Sequence, residues 1–351
     1  MIDFRYHLVS IIAVFLALTV GVVLGSAALN GPTTALLRKS VASLRHDEEN
    51  LRSQNGSLQQ EINSNQQFAQ VAEPVLLGHL LADERVVLVT APGAPSQVTD
   101  KIGQALTQAG AKITGQVDIQ SKLFDTSSGT QETLSLLTQR LTPSGIVLRT
   151  GGTLGQAGQL IASAILTQDG PGQPAAGSQD ATSAAILSQF AAEGFLSVSE
   201  QPIARATLAV VIIPASPPTV NDSNTASQSL VTLCQELNLT DLATVVAGSV
   251  TGSGPGSAIQ VMRAGGRQGH LSSVDDADTT IGQIVVAQTL YVQLTKGKSG
   301  SYGTGSGATA PGPSPAPTPS PSASAGGVTA TQRSGRPKAS ASATPSASSS
   351  R

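Results

Sequence analysis

The sequence predicts an α/β protein in four parts. These are an N-terminal transmembrane helix or signal anchor (1–29), a coiled-coil stalk (30–82), a mostly parallel α/β sheet domain (83–296) and a disordered C-terminal tail (297–351). Three observations predict it. Leu8 to Ala28 contains no charged side chain; apolar residues recur every seven positions from Leu37 to Leu76; and β-branched runs alternate with amphipathic segments from Val86 to Leu294.

The uncharged stretch is 21 residues long, which as a helix spans about 31 Å, close to the roughly 30 Å hydrocarbon core of a bilayer. A dozen of its residues are Leu, Ile, Val or Phe, each favouring insertion by about 0.3–0.6 kcal/mol. A cleaved secretory signal would also open on a basic residue such as Arg5 and end near Gly25-Ser26-Ala27-Ala28. The apolar run is too long for a typical signal, which favours an uncleaved anchor in membrane lipid. Arg5 precedes the span, whereas residues 29–37 carry no charge. The charge rule therefore puts the N-terminus in the cytoplasm and everything after Asn30 outside, in a single pass. Ala13, Ala17, Gly21 and Gly25 recur at four-residue spacing and share one helix face. Small residues so placed let two membrane helices approach closely, although Ala and Gly are also common in such helices without a partner.

Asn30-Gly31-Pro32 breaks the helix, and Pro32 is suited to begin the next. Leu37, Leu44, Leu51 and Leu58 then fall at one seam position of a heptad, and Val41 and Ile62 at the other. Glu48, Asn55 and Asn65 interrupt the seam, and Asp47 and Arg52 occupy the flanking positions that face each other between parallel helices. A lone amphipathic helix packed on its own domain explains the apolar spacing but less well its persistence over five heptads. A parallel coiled coil, a dimer or higher homo-oligomer, is the preferred reading. About 40 helical residues would lift the next domain roughly 60 Å from the membrane.

From residue 83 the pattern changes to short strands and helices. Val86-Val87-Leu88-Val89 reads as a buried strand, Ala91–Pro95 as a turn, and Val98 to Ala109 as an amphipathic helix. Ile113 to Ile119 is a second strand, Leu134 to Leu141 a helix, Ile146-Val147-Leu148 a third strand and Ile161 to Ile165 helix. The Gly- and Pro-rich run at 167–180 reads as a surface insertion, and helix resumes from Ile186 to Phe195. Leu208 to Ile213 is the clearest buried strand, Leu230 to Leu237 a helix, Thr244-Val245-Val246 a strand and Ile281 to Leu294 the closing helix. Strands alternating with helices imply a mostly parallel sheet covered on both faces. From Gly297 the chain is Gly, Ser, Ala, Thr and Pro, too poor in apolar side chains to offset the entropy of ordering. Contact with cell-wall components is compatible with this composition.

Composition excludes several functions. The net charge is −2 with no basic stripe, which argues against nucleic acid as a partner. One cysteine excludes an internal disulfide framework. No G-x-S-x-G elbow occurs; Gly297-Lys298-Ser299 has Val292 where a phosphate loop needs its first glycine; and Gly252–Gly256 lacks dinucleotide spacing, so it reads as a turn. Asp275, Asp276 and Asp278 precede the last helix and read as N-terminal capping groups. No enzymatic activity or bound cofactor is expected. Soft-metal ligands are few: Cys234, Met262 and His270 are the candidates in the sheet domain, and Cys234 sits with Leu230, Leu233 and Leu237 on an apolar face, as a core thiol would. Metal-binding residues are not assigned from sequence.

The opening MIDFRYHLVSIIAVFLALTVGVVLGS, the segment DDADTTIGQIVVAQTLYVQLTKG and the following Ser301-Tyr302-Gly303-Thr304-Gly305 together resemble the mycobacterial copper transport protein B family, over residues 1 to about 305. The resemblance implies a role in copper homeostasis or efflux. It also implies copper ion as the transported or sensed species, in an envelope protein described in mycobacteria as an outer-membrane channel. The residues themselves support a membrane-anchored oligomeric envelope protein, for which a structural scaffold with no metal role is the alternative. A spanning barrel would need many alternating strands of about ten residues, a pattern this chain lacks.

Overall fold

The computed structural model describes residues 4–30, 32–143, 147–149, 151–199, 203–215, 223–254, 256–265 and 271–314. Helix α1 is Phe4–Asn30 and helix α2 is Pro32–Leu77. Arg5–Ser26 has a mean hydropathy of 2.7, and all of its side chains face outward. Its hydroxyls turn back on the backbone: Thr19 Oγ1 donates to the carbonyl of Phe15 at 2.9 Å and Ser26 Oγ to that of Val23 at 3.0 Å. Polar groups satisfied in this way suit an apolar medium.

Among the described residues, a seven-stranded sheet lies beyond the stalk. Its strands are β1 (Arg85–Thr90), β2 (Lys112–Ile119), β3 (Leu196–Val198), β4 (Leu208–Ile212), β5 (Ala243–Ala247), β6 (Leu271–Val274) and β7 (Ser301–Tyr302). The order is β3-β2-β1-β4-β5-β6-β7, parallel except where β3 pairs antiparallel with β2. Strands buried on both faces need apolar side chains at every position, and β4 and β5 are buried throughout. On one face Val86, Leu88, Val210 and Val245 pack with α3 (Ser96–Gln108) and α9 (Thr280–Lys296). On the other, Val87, Val89, Val211 and Val246 pack with α4 (Ser128–Leu141), α5 (Gly152–Ile165), α6 (Ala181–Ala192), α7 (Ser223–Asn238) and α8 (Ala258–Ala264).

The last turns of α2 belong to the first of these layers. Leu77 and Leu81 are buried beside Ile102, Leu106 and Leu290, and the N–H of Leu81 donates to the carbonyl of Ala109 at 2.8 Å. The stalk is thus continuous with the core of the sheet domain.

Two expectations need correction. Of the strand expected at 146–148, Val147 and Leu148 lie in irregular backbone outside the sheet, with Val147 exposed, and Ile146 lies outside the described residues. The edge position goes to β3, reached after α6 through a left-handed Gly194 (φ 75°). There the N–H of Phe195 returns to the carbonyl of Phe190 at 3.0 Å, and the two rings meet edge to face. This helix ending reverses the chain against β2 and makes the strand antiparallel. The second correction concerns the tail. Ser301–Tyr302 forms β7 beside β6, and the compact unit extends to Pro313 instead of ending at Gly297. Residues 315–351 lie outside the described residues.

If the end of the stalk is part of the core, Leu77→Ala should lower the stability of the sheet domain by about 2–5 kcal/mol in urea denaturation. Leu44→Ala, on the exposed length of α2, should leave a monomeric preparation within about 0.5 kcal/mol of the parent.

Candidate functional site

In an open parallel sheet the natural ligand crevice lies at the C-terminal ends of the strands where their order reverses, here between β1 and β4. The described loops there are Ala91–Pro95 and Ile213–Ala215, and none of these residues carries an ionisable side chain. The N–H of Ala91 donates to the carbonyl of Ile212 at 2.8 Å, and a Cβ on Gly93 would lie 3.7 Å from Pro214 Cβ, so the two loops are closely apposed. Beside them, at the end of β2, stands Asp118. It accepts hydrogen bonds from Thr90 Oγ1 and Gln116 Nε2, each at 2.6 Å, and from Ser199 Oγ at 2.8 Å. Burial works to raise the pKa of this carboxyl, but the bonds from Thr90, Gln116, Ser199 and Ser197 outweigh it and hold the group below the usual carboxylate range. Asp118 is a filled acceptor that ties β1, β2 and the end of β3 together. A polar residue inside a strand gives no sequence signal of such a role.

The densest chemistry lies further along the same edge, where the two motifs DDAD and SYGTG converge. Asp275 follows β6 and is fully buried. Its Oδ2 accepts from Arg263 Nη1 of α8 at 2.7 Å, and its Oδ1 accepts the backbone N–H groups of Thr304 and Gly305 at 2.9 and 3.0 Å. Arg263 in turn donates from Nη2 to the carbonyl of Tyr302 at 2.9 Å, from Nη1 to that of Ser306 at 2.8 Å and from Nε to Ser273 Oγ at 3.0 Å. The strap 301–310 is therefore held by one buried ion pair. Its glycines are required by close approach: a Cβ on Gly303 (φ 119°) would collide with the Asp275 carboxylate, and one on Gly305 with Ser253 Oγ.

The aspartates are not the caps expected of them. The cap of α9 is Thr279, whose hydroxyl accepts from the N–H of Gly282 at 3.0 Å. Gly282 lies so tightly against the backbone of Asp276 that a side chain there would displace it. Asp275 is withdrawn into the ion pair, and Asp276 is buried with Oδ1 unpartnered. Burial, and then the neighbouring charge of Asp275, push the Asp276 carboxyl up to about 6.

The soft-ligand candidates do not form a site among the described residues. Cys234 is buried on α7 and burial pushes its thiol up to about 12, so it is a neutral core group and not a thiolate. Met262 is buried on α8, and His270 lies outside the described residues. Among the described residues no three His, Cys, Asp or Glu side chains converge to hold a metal ion. The four small residues Ala13, Ala17, Gly21 and Gly25 lie on α1, and Leu37, Val41, Leu44, Leu51, Leu58 and Ile62 on α2, all exposed in the single chain.

One apolar helix, a long second helix and a sheet domain closed by a buried ion pair define an α/β protein carried on a helical anchor. A profile of the family described as copper transport outer membrane protein, MctB, matches residues 1–313, and the chain belongs to that family. It is 27% identical to the copper transporter MctB of Mycobacterium tuberculosis strain H37Rv over 308 residues, covering 87% of this chain and 96% of the relative. It is 29% identical to the copper transporter MctB of Mycobacterium leprae over 323 residues, covering 86% and 96%. Two of the three stretches that carry the resemblance, the one beginning at Asp275 and Ser301–Gly305, meet at the Arg263–Asp275 pair.

Two outcomes test this site. Arg263→Ala leaves a buried carboxylate uncompensated and should cost about 3–5 kcal/mol, with earlier proteolysis inside 301–310. For Asp276, the native carboxyl keeps its proton up to about pH 6 whereas the unfolded chain loses it near the usual 3.8. The native state binds more protons within that window, so the contribution to stability present at low pH is lost as pH rises through 6. Asp276→Asn should flatten that part of the pH–stability curve; an unchanged slope would exclude Asp276 as its source.

Proposed function

We propose that this chain is a single-pass, membrane-anchored cell-envelope protein of copper homeostasis, with its sheet domain outside the membrane. The observation that carries the copper role is the family match across residues 1–313, which takes in anchor, stalk, sheet and strap together. Copper is treated as cargo or signal. Neither a catalytic nor a cofactor-binding role is assigned to any residue.

The anchor supports a location in a membrane by one helix, Arg5–Ser26. The family description names an outer membrane. Spanning barrels use closed rings of alternating strands, whereas the strands here run from two to eight residues in a sheet clothed by helices. A pore would therefore be built by several copies or by a partner, and α2 is the element suited to gather copies. Its exposed seam supports a parallel coiled coil, and the small-residue face of α1 supports close approach of the anchors. The scaffold reading, without a metal role, is favoured by one specific feature: the polar groups at the sheet edge are spent on holding the strap.

Deletion of the gene decides between them. Copper homeostasis predicts copper-sensitive cells with raised copper content, restored by the parent gene and equally by Cys234→Ser, because that thiol is a core group. Normal copper content with altered envelope integrity would select the scaffold. Failure of Cys234→Ser to complement, despite normal protein levels, would promote Cys234 to a ligand.

A further inference from the structure

The coiled-coil reading has a boundary that the sheet domain imposes. At about 100° per residue, Ala69 and Leu76 come round to nearly the same direction as Ile62, so the heptad seam continues onto the last turns of α2. At Ala69 that continuation is already occupied. The last turns of α2 pack against α9 and α3 of their own chain, with Ala69 and Leu77 buried. A partner helix following the seam would have to pack on Ala69, which this chain already buries.

We propose that the stalk binds a second copy of this chain only along Leu37 to Ile62, and that the two helices part at the polar run Asn63-Ser64-Asn65-Gln66-Gln67. This rests on the parallel-dimer reading above and adds its limits. Below the run the seam is unoccupied: Leu37, Leu44, Leu51 and Leu58 are each more than half exposed in the single chain. The flanking charges select the occupant. One flank carries Arg38, Arg45 and Arg52, the other Asp47 and Glu61. In a parallel pair each flank faces the opposite one, so Asp47 meets Arg52 of the second copy. An antiparallel pair would set arginines against arginines. Anchoring of both N-termini in one membrane imposes the same parallel direction. The seam's own carboxylate, Glu48, is bonded by Arg52 of the same chain at 2.6 Å, which satisfies a charge that would otherwise face its copy. Above the run the seam residue Ala69 is 5% exposed, buried within its own chain, whereas Leu76 and the flanking Phe68 and Val75 stay exposed.

Site-directed disulfide cross-linking of the full-length protein in membranes tests this. Single cysteines replace Leu44, Leu51, Leu58, Ala69 or Leu76, with Cys234 retained because it is buried. Leu76 is 46% exposed, so a cysteine there is open to a partner if one is present. The expected result is symmetric dimers through positions 44, 51 and 58, several-fold more abundant than at 69 and 76. Equal cross-linking through Leu76 would overturn the boundary while leaving the dimer. No cross-linking at 44, 51 or 58 would overturn the dimer itself, and the boundary with it.

Discussion

A parallel sheet with apolar side chains on both faces must be covered twice, and that requirement organises the molecule. Val86, Leu88 and Val210 look one way, Val87, Val89 and Val211 the other, so neither face can be left to water. Among the described residues, five helices cover one face. The other has α3 and α9, and the layer is completed by the last turns of the stalk, which bring Leu77 and Leu81 into the same cluster. The membrane anchor and the domain are thus joined through the core, by a helix of 46 residues, about 69 Å long.

The edges of the sheet are handled differently from its faces. Edge strands expose unpaired backbone groups and invite association, and both edges here are short: three residues at β3 and two at β7. At the second edge the chain does more than stop. Asp275, desolvated and charged, receives Arg263 and two backbone N–H groups of the strap. A buried ion pair is a poor source of net stability compared with apolar packing, but its bonds are directional. It therefore determines where the strap runs, which apolar contacts alone would leave loose. The two glycines beside it are the steric counterpart of that choice.

For a family described by copper transport, the sheet domain is sparing with copper's preferred ligands. Cys234 and Met262 are spent in the core, the Asp118 carboxylate is taken up by hydroxyls and the Gln116 amide, and that of Asp275 by arginine and backbone amides. Among the described residues, most of the exposed large hydrophobic side chains lie on α1 and α2. What ties the described residues to copper is membership of the family across residues 1–313, not a constellation of side chains.

Local pattern alone determined the anchor, the stalk helix and the strands β1, β2, β4 and β5, because each is a continuous stretch whose hydrophobic period or length specifies its state. It also placed Cys234 in the core, from its apolar neighbours one turn away on the same helix face. Tertiary structure decided the rest. β6 is Leu-Ser-Ser-Val, and its serines look polar until Ser272 is seen bonded to Gln293 and Ser273 to Arg263. β7 and the strap contain almost no apolar side chains and were expected to be disorder, yet they are ordered by backbone donors converging on one carboxylate. Asp275 was expected to cap a helix, since sequence shows that an acid precedes α9 but not that Arg263 lies across the next turn of the fold. Composition measures what a segment buries; it does not register hydrogen bonds whose partners lie 30 residues away.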